Sequence, residues 1–99
     1  MYADDFAKPV YVRDGKFVIR EISDLEDAIE FMNRWPEGDR GRDYETTLRA
    51  LRLASSGVEP AKAARDAFRA FAKSRDILEK DAAFRPWMVL KGYGEGAGA

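Results

Sequence analysis

Residues 8–22 read KPVYVRDGKFVIREI, and this stretch decides how the chain begins to fold. β-Branched and aromatic residues flank Asp14-Gly15, a pair that favours a tight hairpin turn because both positions tolerate positive φ. A two-residue turn pairs Val12 with Phe17. Side-chain alternation then buries one face of the hairpin. We predict that this face carries Val10, Val12, Phe17 and Ile19.

A first helix is predicted directly after the hairpin. Residues 23–26 read SDLE, which is typical of a capping box with Ser23 as the N-cap. We expect the helix to end at about Trp35, because the ring of Pro36 disfavours helical backbone in the residue before it. The helical spacing of apolar residues indicates a buried stripe made of Leu25, Ala28, Ile29 and Met32.

Two further helices follow. The second is expected to begin at Arg42 or Asp43 and to end before Gly57, which suits a left-handed C-terminal cap. The third is expected to begin at Pro60, because proline suits the first turn of a helix, and to run to about Lys80. Its apolar stripe comprises Ala61, Ala64, Phe68, Phe71 and Leu78.

The remaining chain has no clear periodicity. Residues 84–90 are apolar, and the glycines from Gly92 onward are typical of a flexible tail. We therefore predict a single small α+β domain over residues 1–91 and a flexible tail over residues 92–99. The predicted architecture is an N-terminal β-hairpin followed by three α-helices packed on one face.

The amino-acid composition excludes several kinds of catalytic and metal-binding chemistry. The 99 residues include 17 Lys plus Arg and 18 Asp plus Glu, but no Cys and no His. Thiol catalysis, disulfides and imidazole bases or ligands are therefore excluded for this sequence. No apolar run approaches the roughly 20 residues that cross a bilayer. We expect a cytoplasmic protein without a membrane segment.

Two motifs point to a known family. Residues 31–36 read FMNRWP and residues 64–68 read ARDAF. In these motifs, and over roughly Val10 to Leu78, the chain resembles the alphaproteobacterial proteins grouped as domain of unknown function 982. The resemblance implies a short single-domain protein with a strand pair before a helix that ends in Trp-Pro, and a bacterial source. It implies no activity, so no functional residues are carried over from it.

Trp35 and Pro36 are the first candidates for a binding surface. An exposed tryptophan beside a proline can anchor a partner, since tryptophan is enriched at interface hot spots. The alternative, which we favour, is that Pro36 stops the helix and the indole of Trp35 closes the core, because large aromatic side chains are mostly buried.

Basic residues on the third helix form the second candidate. Lys62, Arg65, Arg69 and Lys73 share one side of it, and Arg49 and Arg52 of the second helix add positive charge. Such a surface can contact nucleic-acid phosphates. A solvated helix face explains it more simply, because the pI is about 5.5 and Asp66 interrupts the stripe.

Arg65 differs from its basic neighbours because it lies close to the apolar stripe. We expect it to pair within the fold, with Asp27 or Glu30 of the first helix, rather than with a substrate. The spacing of Glu26, Asp27 and Glu30 also suits general acid–base catalysis or a hard-metal site, as it does on any soluble helix. We expect no catalytic, cofactor-binding or metal-binding residue.

The edges of the hairpin provide the third candidate. Two strands alone leave unpaired backbone groups on both sides. Either residues 87–91 add a strand, or a second copy pairs along the edge at residues 17–22 and forms a homodimer. Phe17 and Ile19 are therefore candidate interaction residues.

We predict a non-enzymatic interaction or regulatory module with an unknown protein partner. The alternative is a nucleic-acid-associated protein that uses its basic helix face. The candidate interaction residues are Trp35, Pro36, Arg65, Arg69, Phe17 and Ile19.

Overall fold

The computed structural model describes residues 5–15, 18–79 and 89–93. Four strands and three α-helices occur in these ranges, together with a single 3₁₀ turn at Glu37–Asp39. In chain order they are β1 (Asp5–Arg13), β2 (Ile19–Asp24), α1 (Leu25–Asn33), α2 (Arg42–Ser55), α3 (Ala61–Ser74), β3 (Leu78–Glu79) and β4 (Val89–Lys91).

The strands form one sheet in the order β3-β1-β2-β4. β1 is antiparallel to both β2 and β3, whereas β4 runs parallel to β2. The predicted α+β class, a strand pair followed by three helices, is confirmed. Of the two ways of covering the hairpin edges, the described residues show the internal one, because β3 pairs with β1 and β4 pairs with β2.

The register of the hairpin differs from the predicted one. Val12 lies opposite Arg20 rather than Phe17. The backbone N–H of Asp14 donates to the carbonyl of Val18 at 2.8 Å, so the connection is longer than a two-residue turn. The observed partner of Val12 is three positions further along β2 than the predicted one. Because three is an odd number, this shift places the side chains of β2 on the opposite face of the sheet from the predicted one.

This shift changes which residues of β2 enter the core. Ile22 lies opposite Val10, and both are buried against the helices. Ile19 is three positions from Ile22 and faces the other side of the sheet. It is only 3% exposed, but it is not part of the main core cluster. The prediction that it shares a face with Val10 is wrong, and Phe17 lies outside the described residues.

Helix α1 is capped one residue later than predicted. Asp24, not Ser23, is the N-cap, and its carboxylate accepts the N–H of Asp27 at 2.8 Å. The carboxylate of Asp27 in turn accepts the N–H of Ser23 at 3.2 Å. This differs from a regular capping box, in which the side chain of the third helical residue accepts the N–H of the N-cap itself, here Asp24. The helix ends at Asn33, two residues before the predicted end at Trp35.

Helix α2 begins at Arg42 and ends before Gly57, which confirms the prediction for both ends. Gly57 has φ +82°, and its N–H donates to the carbonyl of Ala54 at 3.0 Å. The N–H of Val58 reaches back to the carbonyl of Leu53 at 2.9 Å. These two bonds form a Schellman cap, which satisfies carbonyls that the helix leaves open.

Helix α3 is shorter than predicted. It ends at Ser74 rather than near Lys80, because Asp76 takes φ +62°. The N–H of Ile77 then donates to the carbonyl of Ala72 at 2.9 Å, which repeats the cap of α2 with aspartate in place of glycine. The chain turns into β3 directly afterwards.

The core lies between the sheet and the three helices. Phe31 of α1 meets Phe68 of α3 edge to face, with ring centroids 5.6 Å apart. Aromatic pairs in this arrangement contribute beyond the area that they bury. The cluster of buried residues consists of Phe6, Val10, Val12, Ile22, Leu25, Ala28, Phe31, Met32, Tyr44, Leu51, Ala54, Ala64, Phe68, Phe71 and Ala72.

The described chain packs against the domain as far as Tyr93. Gly92 is buried, and Tyr93 contacts the core cluster, so packed residues extend two positions beyond the predicted boundary at residue 91. Residues 80–88 and 94–99, which include most of the apolar segment and the tail predicted above, lie outside the described residues. Among the described helices, none has the length and apolar character to span a bilayer.

Candidate interaction site

A groove of about 510 Å³ lies where the β1–β2 connection, the end of α1 and the residues after β4 meet. We call it the arginine groove and define it by Arg13, Arg20, Arg34, Trp35 and Tyr93. Apolar and small residues complete its described lining, namely Gly15, Val18, Phe31, Pro36 and Leu90, together with Asp14.

Tyr93 lies between two guanidinium groups in this groove. The Cζ atom of Arg20 is 4.3 Å from the ring centroid and that of Arg34 is 4.6 Å away. Both cations therefore interact with the ring. Burial, followed by the charge of Asp14, raises the pKa of Tyr93 to about 12, so its hydroxyl is neutral at physiological pH.

The two flanking arginines are held by their own partners. Arg20 donates from Nε to Asp14 and from Nη1 to the carbonyl of Gly92, both at 2.8 Å. Arg34 donates from Nε to Glu30 at 2.8 Å and stands at the negative end of α1. A guanidinium has five N–H donors, so these bonds leave three on Arg20 and four on Arg34.

Arg13 completes the cationic lining from β1. It forms an ion pair with Glu79 of β3 at 2.6 Å and also donates to the carbonyl of Asp76. Its side chain therefore joins the groove to the far edge of the sheet. Each of the three arginines that line the groove has a carboxylate partner: Glu79 pairs with Arg13, Asp14 with Arg20 and Glu30 with Arg34.

Trp35 forms the aromatic wall of the groove, as a half-buried residue. Its ring meets Phe71 edge to face at 5.2 Å, and its indole N–H donates to the carbonyl of Asp39 at 3.1 Å. These contacts match the favoured prediction that Trp35 closes the core after the end of α1. Pro36 is exposed beside it. Both residues that the sequence singled out therefore line the groove.

The ion pair between Arg75 and Asp43 lies next to the ring of Trp35. Arg75 donates from Nε and Nη2 to the two carboxylate oxygens of Asp43, at 3.0 and 2.8 Å. The guanidinium of Arg75 also lies 5.5 Å from the ring of Trp35. Hydrogen bonding from Arg75 lowers the pKa of Asp43 to about 2. The N-terminus of α2 and the C-terminus of α3 are thereby joined.

Two carboxylates of α1, those of Asp27 and Glu30, have partners within the fold. Asp27 accepts the backbone N–H groups of Ser23 and Tyr93. Partial burial raises the pKa of Asp27 nevertheless, because desolvation outweighs these bonds. Glu30 is paired with Arg34. Within the described ranges, no three acidic residues are grouped so as to hold a metal ion.

Arg65 has a different partner from the predicted one. Its Nε donates to the backbone carbonyl of Lys8 in β1 at 2.6 Å, and neither Asp27 nor Glu30 is in contact with it. Its carboxylate partner is the adjacent Asp66 of α3, at 3.7 Å, rather than a residue of the first helix. Arg69 is exposed, four positions further along α3.

The basic residues of α3 differ in their surroundings. Arg65 and Arg69 line a groove of about 500 Å³ beside β1 and β3, together with Lys8 and Glu79. Lys62 is exposed and pairs with Asp66 at 3.1 Å.

No local sequence pattern predicts the centre of the groove. In the predicted register, side-chain alternation places Arg20 on the face opposite Val10 and Ile19, and Tyr93 falls within the predicted tail. The odd register shift brings Arg20 to the helix side, where it meets Asp14 and Tyr93. Only the spacing of Glu30 and Arg34, four positions apart, predicts one of these contacts locally.

In class, the molecule is a small α+β domain with three helices on one face of a four-stranded sheet and a cationic aromatic groove at one end. A family model described as "Protein of unknown function (DUF982)" matches residues 8–79. The chain belongs to this family, as the motifs at residues 31–36 and 64–68 indicate. The match ends with β3, so β4 and Tyr93 lie beyond it. Comparison with curated proteins and with solved structures gives no match.

Proposed function

We propose that this protein is a non-enzymatic interaction module and that the arginine groove binds an acidic, extended segment of a partner protein. The observation that carries the proposal is the convergence of Arg13, Arg20 and Arg34 from separate elements around the aromatic rings of Trp35 and Tyr93. The cytoplasmic location expected from the sequence is part of this proposal.

The chemistry of the groove suits a carboxylate-bearing chain. Arginine binds carboxylates through parallel N–H donors, and Arg34 keeps four of its five donors beyond its bond to Glu30. Its side chain is 62% exposed, so a ligand can reach it. The ion pair with Glu30 competes only weakly with a ligand, because exposed ion pairs contribute little free energy.

Apolar side chains of the partner have a place beside the arginines. Leu90 is 48% exposed and Pro36 is exposed, and both line the groove next to the half-buried ring of Trp35. An exposed apolar surface rimmed by charge is typical of a protein-binding site. We therefore expect a segment in which acidic and large apolar residues alternate.

A fluorescein-labelled peptide of alternating glutamate and leucine tests the proposal by fluorescence anisotropy. We expect saturable binding that Arg34→Ala weakens by about tenfold, the effect of losing one charge-assisted contact. Arg49→Ala is the matched control, because Arg49 is an exposed arginine on α2 outside the groove. Equal affinity of the two variants, or no binding by the unmodified protein, would contradict the proposal.

A labelled DNA duplex, titrated in parallel, tests the alternative of nucleic-acid binding. The basic surface for that alternative consists of Lys62, Arg65, Arg69 and Lys73 of α3 with Arg49 and Arg52 of α2. Duplex binding that falls steeply with salt and is lost in Arg69→Glu, without peptide binding, would replace the proposal with the alternative.

A further inference from the structure

Residues 89–93 are attached to the domain through β2 and α1. β4 pairs in parallel with residues 19–21 of β2. Beyond the strand, the N–H of Gly92 donates to the carbonyl of Glu21 at 2.8 Å, and Arg20 donates back to the carbonyl of Gly92 at the same distance. The edge of β2 thus binds an extended segment by main-chain and side-chain hydrogen bonds together.

The end of the segment is held by side chains of the same two elements. The ring of Tyr93 lies between Arg20 and Arg34, and its backbone N–H donates to the carboxylate of Asp27. Gly92 is required between them, since a side chain there would overlap Asp27. The site therefore selects an extended strand followed by glycine and an aromatic residue.

The binding edge and its occupant belong to different parts of the chain. Arg20, Asp27 and Arg34 lie within residues 8–79, which match the family, whereas residues 89–93 lie beyond them. All the contacts described above join one part to the other. An occupant supplied by another molecule would make the same contacts.

The length of the connecting chain permits both arrangements. β3 and β4 are at opposite edges of the sheet, three strand spacings or about 14 Å apart. Ten residue steps separate Glu79 from Val89, and they span up to about 33 Å when extended. The extended length is about twice the straight-line separation of the two edges, and it is also enough to reach the edge of an adjoining molecule.

We propose that the edge of β2 is a docking site for residues 89–93 of a second copy of this chain, which gives an exchanged homodimer. In it, Tyr93 of each copy lies between Arg20 and Arg34 of the other. The exchanged contacts equal the internal ones, so protein concentration and the connecting chain determine which form prevails. This inference does not depend on the proposed function.

Two single-thiol variants of the full chain test the exchange. Glu21 lies opposite Lys91 in the register of β2 and β4, and adjacent strands are about 4.8 Å apart, within disulfide range. The natural sequence has no cysteine, so Glu21→Cys and Lys91→Cys each carry one thiol. When they are mixed and oxidised, only exchange brings the two thiols into register.

We expect a covalent dimer of twice 11.2 kDa on a non-reducing gel, with a yield that rises with the concentration at which the proteins were mixed. Val58→Cys, mixed with Glu21→Cys, measures random collisions because Val58 is exposed and outside the site.

A yield no higher than that of the Val58 control at every concentration would overturn the inference. Light scattering of the unmodified protein provides a second measurement that needs no thiol. A dimer fraction that rises with protein concentration supports exchange, whereas a monomer over the whole concentration range contradicts it.

Discussion

Gly92 lies so close to Asp27 that no other residue fits there without displacement. A β-carbon built on Gly92 would be 2.5 Å from Oδ1 of Asp27 and 2.8 Å from its Cγ. The backbone at Gly92 also has φ +47°, which side chains disfavour. Asp27 is held in place by the N–H groups of Ser23 and Tyr93.

Gly92→Ala should therefore destabilise the protein. Displacement of Asp27 and the left-handed backbone together should cost about 1–3 kcal/mol of unfolding free energy. Urea denaturation measures the loss. Gly38→Ala is the control, because a β-carbon there meets nothing within 4 Å and should leave the midpoint unchanged. Equal midpoints for the two variants would contradict the close approach.

Alkaline pH should weaken the fold through Tyr93. Its pKa is raised from 10.0 to about 12, so the unfolded chain releases the proton first. The stabilisation is complete below pH 10 and is lost as the pH rises to about 12. Tyr93→Phe should remove this component, seen as a flatter loss of unfolding free energy over that range. Identical slopes in the two proteins would show that the hydroxyl is not buried.

Acid should destabilise the folded protein by protonating Asp43. Hydrogen bonding to Arg75 lowers its pKa from 3.8 to about 2, so ionised Asp43 favours the folded state. This stabilisation is present above about pH 4 and is lost as the pH falls towards 2. Asp43→Asn should therefore reduce the fall in the thermal unfolding midpoint between about pH 4 and pH 2. The same loss of stability with falling pH in the two proteins would contradict this prediction.

The core should depend most on its central aromatic residue. Phe68 is fully buried and meets Phe31 edge to face. Phe68→Ala should cost about 3–5 kcal/mol of unfolding free energy, because a cavity replaces the ring. Val58→Ala, at a 65% exposed position, should change it by less than about 0.5 kcal/mol. Chemical denaturation of both variants checks the contrast.

The helices were predictable because their signals are local. The start of α2 at Arg42 and its cap at Gly57 follow from residues within one turn of each end. The end of α3 was missed because Ile77 and Leu78 continue the apolar pattern past Ser74. Asp76 stops the helix by adopting a left-handed backbone, which aspartate tolerates better than most residues.

The hairpin register and the groove depend on distant residues. Phe17, Val18 and Ile19 are consecutive and apolar, so alternation fits either face equally well. The observed register is favoured by contacts that no local pattern contains: Ile22 packs with the helices, and Arg20 reaches Gly92 and Tyr93, more than 70 positions away. The partner of Arg65 was missed for the same reason, since Lys8 contributes only its backbone.

The strand order β3-β1-β2-β4 has a consequence during synthesis. β1 and β2 leave the ribosome first, and both outer strands come from the last quarter of the chain. β3 ends at Glu79, 55 positions after the end of β2 at Asp24. At about 5–20 residues per second, roughly 3–11 s pass between the synthesis of the hairpin and that of the first strand that pairs with its edge. During that time both of its edges are open to other nascent chains, and a chaperone that binds extended backbone would act in this interval.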